Sequence, residues 1–361
     1  MKKLDSYIIK KYLSSFFFTM LLITMIAVVI DFSEKINRFI DAELGLGKIV
    51  GEYYLNFIPW INGMMWPLFS LIAVIFFTSR LAKNSELVAL LSSGVSFNRI
   101  MVPYLLAASL IASVLWLGKN YLIPHSCKIK NDFESEYLKK NSKKTLNNDI
   151  HFFLNPNEKL YIRYYRKSDT TAQSFRLEGF RNNRLATVLK AEKLVFKEHP
   201  NVWTLKNYTR REFEGLNETY LVAKGESLDT VMDLTPQDFV RNTKLMENMT
   251  TSDLEDYIQR ERDRGLGDAK AFLIEKHLRN SQPFTILILT IIGFAISSRK
   301  VRGGMGLHLA IGVILGACFV IVSKFAATFS NNLSLSPGLG AWLPNIIFSL
   351  FALLIVRHSQ K

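Results

Sequence analysis

Apolar residues in this chain gather into six runs of about 19 to 27 residues, at 12–30, 53–79, 100–118, 280–298, 307–329 and 336–356. A bilayer hydrocarbon core about 30 Å thick needs roughly 20 apolar helical residues to cross it, so each run predicts a membrane-spanning helix. The first follows Lys2, Lys3, Lys10 and Lys11. It is too long for a signal-peptide core and lacks an A-x-A-like cleavage site, so it reads as a retained helix. Between the third and fourth runs the pattern changes. From about 150 to 231 it has period two, in short runs at 159–165, 175–180, 191–197, 202–208 and 219–223. Turn signals at Asn155-Pro156-Asn157, Arg181-Asn182-Asn183 and His199-Pro200-Asn201 separate them. Regularly spaced short strands predict a sandwich or jelly-roll-like domain. From Thr251 the period lengthens to that of a helix, with Thr251 or Ser252 as cap and Leu254, Tyr257 and Ile258 on it. A second helix, 268–280, runs into the fourth span.

The expected fold is an α-helical membrane protein of six transmembrane helices, arranged 3+3, with an inserted β-jelly-roll-like domain. Residues 1–118 carry helices one to three and a cytoplasmic helix at 84–97. Residues 119–279 form the inserted domain, its β part at about 150–233 and its helical return at 251–279. Residues 280–361 carry helices four to six.

Composition alone hides this arrangement. Of 361 residues, 49% are hydrophobic, near the soluble average, and the mean hydropathy is only +0.13. The segregation decides, and it excludes a soluble enzyme. An aromatic content of 12% with long apolar runs excludes a disordered chain. Two cysteines, Cys127 and Cys318, build neither a disulfide framework nor a four-ligand zinc site. In a membrane chain the net charge of +14 has work other than nucleic-acid binding: it fixes orientation and meets anionic lipid. Arg80, Lys83 and Arg99 lie between spans two and three, Arg299, Lys300 and Arg302 between four and five, and Arg357 and Lys361 after six. The opposite connections, 31–52 and 330–335, are acidic-mixed and uncharged. The positive-inside rule therefore puts both termini in the cytoplasm and the inserted domain outside.

No catalytic set, metal site or cofactor motif emerges. There is no H-E-x-x-H, no G-x-S-x-G and no G-x-x-x-x-G-K-[ST], and the six histidines are scattered. The stretch 299–306 (RKVRGGMG) reads as a flexible, positive-inside turn. The segment 84–99 (NSELVALLSSGVSFNR) carries more information. Asn84 or Ser85 can cap a short helix, Glu86 suits the positive end of its dipole, Leu87, Leu90 and Leu91 share a face, and Gly94 can end it. It is either an interfacial connector or a docking helix for a cytoplasmic partner, with Glu86 available to a partner's arginine. Lys35 and Arg38, three apart beyond the first run, are either a solvated helix end or a contact for an anionic lipid headgroup. Lys324, the one lysine or arginine inside a span, lies about five residues, or roughly 7.5 Å, from its outer end. It is a candidate headgroup contact or a snorkelling side chain. In the β part, Leu160/Ile162/Tyr164, Leu194/Phe196 and Trp203/Leu205 form one-sided apolar stripes, read as core or as a groove for acyl chains.

Several segments, in order and spacing, carry a resemblance: Leu4-Asp5-Ser6-Tyr7-Ile8, Glu86-Leu87-Val88 with Ser93-Gly94-Val95-Ser96, Tyr121-Leu122-Ile123-Pro124, Gln282-Pro283 and Ala341-Trp342-Leu343-Pro344-Asn345. Across its whole length the chain resembles the LptF/LptG (YjgP/YjgQ) permease family of lipopolysaccharide export. The resemblance implies an ABC transporter subunit of the bacterial inner membrane, serving outer-membrane biogenesis. It would pair with a sister six-helix permease subunit on a cytoplasmic ABC ATPase dimer, extract lipopolysaccharide and pass it to a periplasmic bridge protein. It also implies a periplasmic jelly roll, a coupling helix at 84–97 with its acidic residue at Glu86, and a basic cluster at Lys35 and Arg38. Here those cations are interleaved with Glu34 and Asp41. The rival from another class is a signalling or mechanotransmitting membrane protein whose outer domain binds a partner and moves no lipid.

Overall fold

The computed structural model describes residues 3–138, 147–155, 157–166, 169–182, 184–198, 201–215, 217–232, 234, 236, 245–263, 270–299, 304–332 and 335–359. Helix α1 is Lys3–Asp41. A short α2 (Leu46–Lys48) continues through a wide π turn, Ile49–Tyr54, into α3 (Leu55–Lys83). The short α4 is Glu86–Ser92. Helix α5 (Phe97–Leu117) passes through a π turn, Gly118–Leu122, into α6 (Ile123–Phe133), followed by a further π turn, Glu134–Leu138. Six strands follow: β1 (Asn147–Asn155), β2 (Glu158–Arg166), β3 (Thr171–Arg181), β4 (Arg184–Glu198), β5 (Val202–Glu214) and β6 (Asn217–Val231). Then come α7 (Leu245–Asn248), α8 (Thr251–Asp263), α9 (Lys270–Ser297), α10 (Gly304–Asn332) and α11 (Pro337–Ser359). Among the described residues six helical stretches are long and apolar enough to cross a membrane, and the sheet is inserted between the third and fourth.

The helices outrun the apolar stretches that announce them. At 39 residues α1 is roughly 58 Å long at 1.5 Å per residue, about twice a bilayer core. Charge ends the apolar run at Asp31 but not the helix, because Asp31 and Lys35 pair at i,i+4 on the same face (2.6 Å).

The chain divides into two compact units: residues 1–138, 246–254 and 270–361, and residues 139–245 and 255–269. The first is built on α3 and α9, whose most apolar windows are 61% buried against 11% for α1 and 22% for α10. Gly293 lets α3 and α9 meet closely, since a Cβ there would stand 2.5 Å from Val74 Cγ1 and 3.1 Å from Leu71 Cδ1. In lipid a buried polar group needs a partner on a neighbouring helix. Tyr12 Oη of α1 accordingly lies 2.6 Å from Ser70 Oγ of α3 and 2.9 Å from Thr290 Oγ1 of α9. Thr24 Oγ1 donates to Asn62 Oδ1 (2.6 Å), and Thr285 Oγ1 donates to Asn345 Oδ1 (2.8 Å). One face of α1 is thus stitched inward, while Phe17, Phe18, Leu21, Met25 and Val29 stay exposed.

The second unit contains one antiparallel sheet whose strands pair in sequence order, β1 to β6. One face is filled by Leu160, Ile162, Phe175, Leu194, Trp203 and Leu205, with Met232 and Leu234 joining from beyond β6. Trp203 Nε1 donates to the Leu234 carbonyl at 2.8 Å. The expected stripe Leu160/Ile162/Tyr164 shifts by one residue at its end: Tyr165 is buried and Tyr164 half-buried. The shift coincides with a change of backbone course in the neighbouring strands, where Ser174 of β3 adopts a φ of +55° and Asn207 of β5 one of +53°. Past it the inward positions change phase, from Phe175 to Ala172 in β3 and from Ile162 to Tyr165 in β2.

Candidate functional site

Helix α4 has two faces. Leu87 is 1% exposed and belongs to the core of the membrane unit, and Leu90 packs against that core. Glu86, Val88 and Leu91 face outward. The three leucines therefore do not act as one face: Leu87 and Leu90 root the helix, and Leu91 joins Val88 outside. The cap also differs from expectation. Ser85 occupies the N-cap in a left-handed conformation (φ 62°), and its side chain makes no cap hydrogen bond. Asn84 Nδ2 instead donates to Glu86 Oε1 (3.2 Å). Gly94 ends the helix at φ +87°, a conformation strained for any residue with a Cβ, with the Val95 amide bonded back to the Leu90 carbonyl. Ser96 then caps α5, its hydroxyl accepting from the Arg99 amide (3.3 Å).

At the far end of α1 the helix runs through both Lys35 and Arg38, which diverge in surroundings. Arg38 is exposed. Lys35 is half-buried, 2.6 Å from Asp31 and 3.4 Å from Glu134, hydrogen-bonded to Tyr53 and 4.7 Å from the centre of that ring. Beside it Lys130, 3% exposed, lies 3.8 Å from Glu134 and 3.6 Å from the centre of the Trp60 ring. Desolvated cations are held here by carboxylates and ring faces together. An anionic ligand reaching Lys35 must compete with Asp31 and Glu134. Lys324 is exposed on α10. Of the basic turn at 299–306, residues 300–303 lie outside the described residues.

The model of the family described as "Lipopolysaccharide export system permease LptF/LptG" matches residues 6–358. The chain belongs to this family. Among characterised proteins it is similar to the lipopolysaccharide export system permease protein LptG of Escherichia coli (strain K12), at 21% identity over 365 residues, covering 99% of this chain and 98% of the relative. It is similar to the same extent to LptG of Escherichia coli O6:H1. Membership of the LptF/LptG family, with six helices of membrane-crossing length, makes the chain a multi-pass inner-membrane protein of a lipopolysaccharide-export permease family.

Three features of this family member escape a reading of the sequence. Asp5 of α1 and Arg99 of α5 form a two-pronged ion pair, both contacts at 2.8 Å, across 94 residues. Glu134 and Lys130 join the Lys35 cluster from a helix about a hundred residues away. Arg279, 2% exposed, spends its guanidinium on Glu275 (3.1 Å), Thr251 Oγ1 (3.2 Å) and the Met246 carbonyl (2.9 Å). That fork ties the chain returning from the inserted domain onto α9. Each sets an ordinary charged residue against at least one partner distant in sequence, and neither hydropathy nor local spacing announces such a meeting.

Proposed function

We propose that this chain is the permease subunit of an ABC transporter that extracts lipopolysaccharide from the inner membrane and passes it to a periplasmic bridge protein. In this reading both termini and α4 are cytoplasmic and the sheet unit is periplasmic. The chain pairs with a sister six-helix subunit on a cytoplasmic ABC ATPase dimer. The ATPase docks on α4 through Glu86 and Leu91, with Leu87, Leu90 and Gly94 holding that helix in place. Arg38, Lys324 and, by exchange from Asp31, Lys35 meet the phosphorylated headgroup.

The observation that carries the reading is α4: a short helix rooted by a buried leucine, offering one carboxylate and two apolar side chains outward, in a chain whose sequence holds no P-loop. The thin burial of α1 and α10 supports pairing with a second subunit through those helices. The terminal strand β6, with Tyr220, Leu221 and Val222 exposed, supports a β-strand partner for the bridge. Burying an acyl chain is worth about 0.8 kcal/mol per CH₂, so extraction must be driven, and a partner that hydrolyses ATP supplies the drive. The test is native mass spectrometry of the chain purified from its own membranes. Bound lipopolysaccharide together with a nucleotide-binding subunit supports the transporter. The nucleotide-binding subunit without any glycolipid would favour the signalling alternative.

A further inference from the structure

Helix α4 touches α1 only loosely. A cavity of about 350 Å³ separates them, lined by Leu4 and Ile8 of α1, Leu81 of α3, and Glu86 and Leu90 of α4. A void of that size forfeits the close contacts through which packed side chains pass on a displacement. A firmer connection lies just beyond it. The four residues 93–96 lead from α4 into α5, whose first turn carries Arg99. Arg99 Nη2 donates to Asp5 Oδ2 of α1 (2.8 Å), and the charge of Nη1 stands 2.8 Å from Oδ1. Asp5 is buried (7% exposed), and the Arg99 amide is itself fixed by the Ser96 cap. A charge-assisted hydrogen bond backed by a second close charge contact joins the two helix ends more strongly than a neutral hydrogen bond would.

We infer that Asp5 and Arg99 are positioning residues that transmit motion of the docking helix to α1. A displacement of α4 by a docked ATPase reaches the start of α5 through residues 93–96, and the ion pair hands it to the first turn of α1. The first turns of α1 are packed into the core through Ile8, Tyr12 and Phe16, while its most apolar window is only 11% buried, so a pull at Asp5 moves a rooted end whose remaining length is little covered. The opening between α4 and α1 makes the start of α5 the route by which motion of α4 reaches α1, with the Asp5–Arg99 pair at its first turn and the Tyr12–Tyr104 ring contact (5.8 Å) two turns further along α1. This inference rests on the transporter reading above, and the residues involved touch neither nucleotide nor lipid.

The experiment uses the full complex with its ATPase partner in vesicles containing lipopolysaccharide, measuring lipid extracted per ATP hydrolysed, ATPase association and thermal melting. The wild-type complex is the internal control: if it extracts no lipid, the transporter reading itself fails, whatever the variants do. Given a working wild type, Asp5→Asn is expected to keep ATPase association within about twofold and to lower lipid per ATP at least tenfold. Asp5→Glu, which preserves the pair, and the exchange Asp5→Arg with Arg99→Asp are expected to return the ratio to within about threefold of wild type. An Asp5→Asn complex whose ratio stays within twofold of wild type overturns the inference. So does one that loses its ATPase, or one whose ratio drops without recovery in both Asp5→Glu and the exchange.

Discussion

The two faces of α4 should separate by mutation. Val88 is 45% exposed and Leu91 38%, so docking can still withdraw that much of each from water. Complete burial of such a side chain is worth about 1.5–3 kcal/mol, so covering the exposed parts of both contributes about 1–2.5 kcal/mol. At about 1.4 kcal/mol per tenfold, the double variant Val88→Ala/Leu91→Ala should bind the ATPase roughly 5- to 60-fold more weakly. Its melting temperature should not move, because neither side chain belongs to the core. Leu87→Ala is the contrast. Leu87 is 1% exposed, and emptying a buried leucine site costs about 2–5 kcal/mol of stability. That loss should appear in thermal melting of the permease before any partner is added. The assay titrates labelled ATPase onto the permease in lipid nanodiscs and pairs each affinity with a melting curve. Unchanged affinity in the double variant, with melting also unchanged, would refute the assignment of the outer face to docking.

Other consequences follow from the remaining sites. Arg279→Gln leaves Glu275, Thr251 and the Met246 carbonyl without their shared donor. Breaking a buried pair costs about 3–5 kcal/mol, so hydrogen exchange across 246–254 should speed up by roughly a hundredfold or more, and unchanged protection there would show that the fork is not the anchor. Burial, with the nearby charge of Asp169 adding, pushes the Tyr165 phenol up to about 12. The folded sheet favours the neutral phenol, so this contribution is complete below pH about 10 and is lost as pH rises toward 12. Tyr165→Phe should remove that part of the alkaline unfolding profile followed by circular dichroism, and superimposable profiles would contradict it. For the cation cluster, Lys35→Glu with Arg38→Glu should lower photocrosslinking to lipopolysaccharide, whereas Asp31→Asn, which removes a competitor for Lys35, should raise it. Wild-type crosslinking in both would remove the headgroup role.

Much of the architecture is legible in the sequence because a membrane imposes a length. The runs at 12–30 and 307–329 mark α1 and α10 without help from tertiary structure. Period two, punctuated by turn residues, likewise marks the inserted sheet. What is not legible has particular causes. The ends of α1 are hidden because an i,i+4 pair lets a helix continue through charge, and hydropathy stops where charge begins. The swap of Tyr165 for Tyr164 belongs to a change of phase shared by neighbouring strands, with positive φ at Ser174 and Asn207, a backbone course that alternation cannot foresee. On α4, Leu87, Leu90 and Leu91 share helical spacing, yet the core takes the first and leaves the last outside. The partners of Lys35 were partly visible, since Asp31 is four residues away, but Glu134 was not. The Asp5–Arg99 pair gave no local signal at all.

In the proposed transporter the permease moves glycolipid only when an attached ATPase turns over. The most direct measurement reconstitutes the chain with its sister subunit and ATPase in vesicles and follows release of labelled lipopolysaccharide to an added soluble acceptor, with and without ATP. Release that requires ATP, and that stops when Glu86→Lys removes the ATPase from the complex, is the predicted result. Equal release without ATP, or from the permease alone, would contradict the account.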